Sequence, residues 1–165
     1  MFIHAEWLTL LGMVSINCLL FFVIHSMHIN IVQANKEDKK AIKRFYKQQH
    51  YSASFMGLDT TYLAKQQGDI IGAVIVSKIC ADNQQTLLHA LVVDRQYRRL
   101  GIAQLLLNQC QAHFNSIKCF ASHELAEFYD KVNFIKCEET ELSPELLARY
   151  QQYNRKQSLW VFTPR

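Results

Sequence analysis

At 165 residues, half of them apolar and 19% charged, the chain is long enough to bury one sizeable core and too short for two ordinary domains. Its formal charge of +4 is spread over several segments rather than gathered into one stripe, which argues against nucleic acid as a partner and leaves room for a local site for a polyanionic small molecule. The five cysteines are odd in number, scattered and without a CxxC pair, so they read as reduced, buried thiols of a cytosolic protein; the seven histidines offer no spacing that would hold a metal.

From Trp7 to Ile24 the chain runs 18 residues without a charge, close to the roughly 20 needed to span a bilayer. No lysine or arginine precedes this stretch and no small-residue cleavage site follows it, which speaks against a cleaved secretory signal. Three readings of residues 1–27 stay open. They are a leader ahead of the true start, since Met27 stands just before the first strand-like run; a membrane anchor; or a helix packed on the domain or on the second subunit of a homodimer. With an anchor, the lysines of "KEDKKAIKRFYK" would put the domain on the cytoplasmic side. In each case the folded domain is expected over residues 28–165.

Beyond Met27, "HINIVQA" alternates as a half-buried strand. Asn35 can cap a helix over "KEDKKAIKRFYKQQH", with Glu37 and Asp38 in its first turn and Ala41, Ile42, Phe45 and Tyr46 on its apolar face. A loop over "YSASFMGLD" leads to "TTYLAKQ" and "DIIGAVIVSKI", which flank a Gln67-Gly68 hairpin turn; "ADNQQ" turns the chain again into "TLLHALVVD". The period then changes from strand to helix near Gly101, with Ile102, Leu105, Leu106, Cys110 and Phe114 at helical spacing. "SIKCFAS" reads as a strand, "HELAEFYDKVN" as a helix ending on a left-handed Asn133, and "FIKCEET" as a strand. Ser143-Pro144 opens a helix over "PELLARYQQYNRK" before the closing strand "SLWVFTP". The order β α β β β α β α β α β predicts an α/β (α+β) fold, a mixed central sheet with helices on both faces.

The arginines of "RQYRRLGIA" therefore stand at a strand-to-helix junction. The unpaired N–H groups and positive dipole end of a helix N-terminus suit phosphate, Gly101 allows close backbone approach, Ala103 leaves the first turn unobstructed, and Arg98 and Arg99 add guanidinium donors. From these residues alone, a solvated basic turn that merely starts a helix fits equally well.

Arg98-Arg99-Leu100-Gly101-Ile102-Ala103 resembles the Q/R-x-x-G-x-G/A signature of the GNAT superfamily of acyl-CoA-dependent N-acyltransferases, with "VVD" ahead of it where the family's fourth strand would end. "FYDKVNF", residues 128–134, resembles the second signature, FYxKxGF, at the expected distance downstream. The pair in this order is more specific than either motif alone, and the likeness covers residues 28–165 in element order.

The resemblance implies acetyl-CoA as co-substrate, no metal, and transfer of the acetyl group to a primary amine of a small molecule or peptide by direct attack. Backbone around Leu91, Val92 and Val93 would meet the pantetheine arm, and Arg98 to Ala103, including Leu100 and Ile102, would wrap the pyrophosphate. Tyr129 would protonate the leaving thiolate. Ser122 occupies a position where many members have an asparagine that contacts CoA. The place where many members carry an acidic base on the fourth strand holds Leu87; His89, two residues along on the same face, is the candidate base. The loop at 51–60 and the helix bearing Arg149, Tyr150, Tyr153 and Arg155 would border the acceptor cleft. Tyr150 with Leu146 and Leu147 reads as core, and a solvated helix face is the expectation for Arg149, Tyr153 and Arg155. The competing reading is a non-catalytic acyl-CoA-binding module, membrane-tethered through residues 7–24.

Overall fold

The computed structural model describes residues 28–52, 59–79 and 85–165. The N-terminal apolar stretch, Cys18, Cys80 and most of the loop and turn expected at 51–59 and 81–85 lie outside the described residues. The predicted order of elements holds throughout. It runs β1 (Asn30–Gln33), α1 (Lys39–Gln48), β2 (Asp59–Gln66), β3 (Asp69–Lys78), β4 (Gln85–Val93), α2 (Ile102–His113), β5 (Ser116–Ser122), α3 (Ala126–Lys131), β6 (Phe134–Cys137), α4 (Pro144–Asn154) and β7 (Leu159–Pro164). The strands form one seven-stranded sheet in the order β1-β2-β3-β4-β5-β7-β6, with β4 and β5 parallel and all other neighbours antiparallel.

One face of the sheet is covered by α2 and α3, whose Ile102, Leu106, Leu107, Cys110 and Tyr129 share a core with Val74, Val76 and Leu88. On the other face α1 buries Ile42, Phe45 and Tyr46 against Leu63, Ala73 and Ile75, and α4 buries Leu146 and Tyr150 against Leu87, Leu159 and Val161. That α1 and α4 share a face follows from β3: Ser77 lies two residues from Ile75 and pairs with Leu87. Helix α2 sits close on β3 because position 72 has no side chain. A Cβ there would come within 3.1 Å of Ile102 Cγ2 and 3.2 Å of Leu106 Cδ1.

Three local expectations are corrected. Helix α1 starts at Lys39, because Asn35 Oδ1 accepts from the amides of Glu37 (2.8 Å) and Asp38 (3.2 Å) and holds them in a turn ahead of the helix. Strand β6 ends at Cys137, because Glu138 and Glu141 form a capping box around a single helical turn. In α2 it is Leu107, not Leu105, that joins Leu106 in the core. The left-handed Asn133 (φ 62°) and the Ser143 cap of α4 are found as expected.

Candidate active site

The site begins where the sheet opens. Strands β4 and β5 pair only from Gln85 with Ser116 to Leu88 with Cys119; beyond that β4 continues beside β3 and β5 beside β7. A β-bulge accompanies the parting, since from His89 to Val92 β4 spends one residue more than β3 does from Ala73 to Ile75. Ala90 takes up the excess in a left-handed conformation (φ 54°), and Tyr46 Oη donates to its carbonyl at 2.8 Å. The bulge also exchanges faces. Ala90 and Val92 pack towards α1, so Leu91 and Val93 turn towards α2 and α3.

Past β4, Asp94 caps a short 3-10 turn by accepting from Gln96 N at 2.9 Å, and Gln49 Nε2 donates to its other oxygen at 2.7 Å. Arg98 Nε donates to the Val93 carbonyl at 3.2 Å, which ties the loop back to the strand. Arg99 (φ 64°) and Gly101 (φ 78°) are both left-handed, the backbone habit that gathers successive amides into an anion-binding concavity. Gly101 is the N-cap of α2 and offers no capping side chain. Leu91, Val92, Val93, Arg98, Arg99, Gly101, Ile102, Ala103 and Tyr129 line a single cavity of about 770 Å³. Two expected members stand apart from it. Leu100 packs against the core, and Ser122 accepts from Glu124 N at 3.4 Å to cap the turn before α3.

Tyr129 is held firmly. Its ring stacks on Phe162 with centroids 4.5 Å apart, and its hydroxyl lies 3.0 Å from Cys119 Sγ. Burial pushes the Tyr129 phenol well above its ordinary range and the Cys119 thiol up to about 12, so both keep their protons at neutral pH.

A second cavity, of about 210 Å³, opens beside Leu87, His89, Phe120, Arg149 and Tyr153. Tyr51 belongs to the walls of both cavities. The end of α1 delivers it there: His50, left-handed at φ 55°, lets His50 N reach Lys47 O (3.1 Å) and Tyr51 N reach Tyr46 O (2.9 Å), a Schellman ending whose ring contact is Tyr46 against Tyr51. Burial of its hydroxyl pushes the Tyr51 pKa up. His89 Nε2 lies 2.7 Å from Ser77 Oγ, which also bonds Asp59 Oδ1. Burial lowers the His89 pKa, Asp59 raises it and the Arg149 charge lowers it, leaving the imidazole neutral at pH 7. Among the described residues no cluster could hold a metal ion and no helix is long and apolar enough to cross a membrane.

A family model for the acetyltransferase (GNAT) domain matches residues 33–148. The chain belongs to the GNAT acetyltransferase family. Membership implies acetyl-CoA-dependent acyltransferase activity. Solved GNAT-fold structures agree in architecture: the N-acetylglutamate synthase of Neisseria gonorrhoeae in complex with coenzyme A and N-acetyl-glutamate has a TM-score of 0.62 at 15% identity, over 83% of this chain and 35% of that one. A GNAT acetyltransferase of Staphylococcus aureus Mu50 gives 0.58 at 17%, over 82% of this chain and 98% of that one. The ribosomal-protein-S18-alanine N-acetyltransferase of Escherichia coli gives 0.59 at 11%, over 82% and 92%. At these identities the likeness is one of fold, and the chain spans little more than a third of the Neisseria enzyme. No curated protein matches the sequence significantly.

The resemblance points to the loop at 51–60 and to the α4 segment as borders of the acceptor cleft, without saying which of their residues enter it. Arg149 and Tyr153, expected on a solvated helix face, turn towards the smaller cavity, while Arg155 caps α4. Asp59, Ser77 and Tyr51 are brought in by strand pairing and a helix ending. On α4 the local signal is helical spacing, which places Arg149 and Tyr153 one turn apart.

Proposed function

We propose that the protein is an N-acetyltransferase that moves the acetyl group of acetyl-CoA to a primary amine of a small molecule or peptide by direct attack. The observation that carries this reading is the pair of cavities sharing Tyr51 where β4 and β5 part, one lined by the phosphate-type loop and the other by an imidazole. The larger cavity has the chemistry acetyl-CoA requires. The first turn of α2 with Arg98 and Arg99 would hold the pyrophosphate, and the backbone at Leu91 to Val93, free of β5, would bond the pantetheine arm.

In the smaller cavity neutral His89 would take a proton from the acceptor ammonium, directly or through water. The amine nitrogen then bonds to the thioester carbonyl carbon and gives up its second proton, which passes through water to make good the proton Tyr129 spends on the leaving group. The carbon–sulfur bond breaks, and the sulfur leaves with the bonding pair. Tyr129 is the proton donor to that sulfur, with the Cys119 thiol able to donate to the phenol oxygen in turn. No covalent enzyme intermediate is involved.

Incubating the full chain with acetyl-CoA and a library of small amines and peptides, read by mass spectrometry for acetylated product and by assay of released thiol, tests the proposal. Product with stoichiometric thiol is expected. Tight acetyl-CoA binding without transfer to any amine would replace it with the acyl-CoA-binding module.

A further inference from the structure

Outside the loop and the phenol, the described residues hold a polar chain of three side chains on three consecutive strands. Asp59 on β2 pairs in register with Ser77 on β3, and Ser77 sits opposite Leu87, two residues from His89 on β4. All three point to the face carrying α1 and α4. Ser77 is fully buried, and its single hydroxyl oxygen serves both neighbours: it bonds Asp59 Oδ1 and lies 2.7 Å from His89 Nε2.

Hydrogen-bond arithmetic assigns the protons. An ionised carboxylate only accepts, so Ser77 spends its one hydrogen on Asp59. Toward His89 the serine oxygen can then only accept, and Nε2 must be the ring nitrogen that carries the proton. That leaves Nδ1 with the lone pair.

We infer that Asp59 and Ser77 are positioning residues that fix His89 with its proton on Nε2, so that Nδ1 is the atom that takes the acceptor's proton. The inference rests on the acetyltransferase reading for the identity of that proton. The transfer balances simply. The ammonium N–H bond breaks, Nδ1–H forms, and the positive charge moves to the imidazole, whose Nε2–H still points through Ser77 at the Asp59 carboxylate. The carboxylate that supports the base thus comes from two strands away. Among the described residues, the other charged or titratable groups that face His89 are Arg149 and Tyr153 from α4 and Tyr51 from the end of α1. Arg149 opposes protonation of His89, and Asp59 is the carboxylate that favours it.

The test begins with nitrogen-15 NMR of the imidazoles in the wild-type full chain, which reports the tautomer and titration of His89 without any substrate. A protonated Nε2 and an unprotonated Nδ1 in the neutral form are expected; the opposite tautomer would overturn the inference. Asp59→Asn keeps an acceptor for Ser77 but removes the charge, so the tautomer should persist while the His89 midpoint falls. The fall should be about half a unit to one unit, less than the roughly one to three units of a directly opposed charge. Ser77→Ala should release the tautomer, and Ser77→Thr should restore it. With an accepted amine, Ser77→Ala should lower kcat/KM for the amine about 10- to 100-fold, the scale on which orienting partners act. Its KM for acetyl-CoA should not change. The acid limb of the Asp59→Asn profile should move to lower pH, because more acid is needed to protonate a base stripped of the carboxylate that favours its charged form. A His89 titration and pH–rate profile unmoved by both substitutions would also overturn the inference. The expected tautomer and titration with no transfer to any amine would instead sink the acetyltransferase reading on which the base role depends.

Discussion

Replacing Tyr129 by phenylalanine separates a catalytic phenol from a structural one, because its environment makes the structural cost calculable. The ring packs on Phe162 at 4.5 Å and edge-on to Phe128 and Phe134 at 5.2 and 5.7 Å, and phenylalanine keeps all of these contacts. What is lost is one hydrogen bond to Cys119 Sγ. Sulfur is a weak partner, so the loss belongs at the lower end of the roughly 0.5–1.5 kcal/mol of a typical intramolecular bond. For a chain of this size that lowers Tm by about 2–4 °C at most. Loss of a general acid costs on the order of 100-fold in rate, equivalent to about 2.7 kcal/mol of barrier. Turnover should therefore fall much further than stability, with acetyl-CoA affinity held within a few-fold. Thermal melting, acetyl-CoA titration and single-turnover acetylation on one accepted amine measure the three quantities side by side. Wild-type single-turnover rates in Tyr129→Phe would refute the reasoning and pass thiolate protonation to another donor.

Gly101→Asp should weaken acetyl-CoA binding more than Arg99→Ala, since it places a carboxylate on left-handed backbone (φ 78°) at the N-terminus of α2 while Arg99 is one cation among several. Titration calorimetry decides this, and unchanged affinity in Gly101→Asp would remove the loop from the binding site. Gly72→Val should destabilise the fold by about 1–3 kcal/mol through overpacking. Its Cβ alone would meet Ile102 Cγ2 at 3.1 Å, so an unaltered denaturant midpoint would show that α2 can ride up off the sheet. Because burial holds the His89 pKa below its ordinary 6.5, folding disfavours the imidazolium. The associated stability is complete above about pH 6.5 and is lost as pH falls through the lowered value. His89→Gln should flatten that part of the Tm–pH curve, and a curve as steep as the wild type's would assign the acid sensitivity to other groups.

Most of the fold was legible because its signals are local. Alternation at "TLLHALVV", the change of period at Gly101 and the cap at Ser143 each depend on residues a few positions apart. The loop residues of the larger cavity were legible for the same reason. The bulge at Ala90 was not, because the group that donates to its displaced carbonyl is the Tyr46 hydroxyl on α1, more than forty residues away. The link from Asp59 through Ser77 to His89 depends on strand register, which a sequence pattern does not state. Tyr51 lies in the loop expected beside the acceptor cleft, but its entry into both cavities depends on an unusual helix ending, a left-handed histidine where glycine or asparagine is the familiar signal. Leu105 and Leu107 exchanged places because they flank Leu106 on either side and spacing alone lets either join it, whereas in the fold Leu107 is the one buried.

The short pairing of β4 with β5 makes the sheet two ribbons stitched along one brief seam. Helix α2 rides on the first ribbon, over β1 to β4, whereas α3 sits on β6 in the second. A ligand that touches both the start of α2 and Tyr129 must therefore bridge the two halves, as a clamp bridges a joint. Such a molecule adds its own binding free energy to the cohesion of the ribbons, in proportion to RT ln(1 + [L]/Kd). The amides beside the seam should then exchange with solvent more slowly when such a ligand is bound than when the cavity is empty.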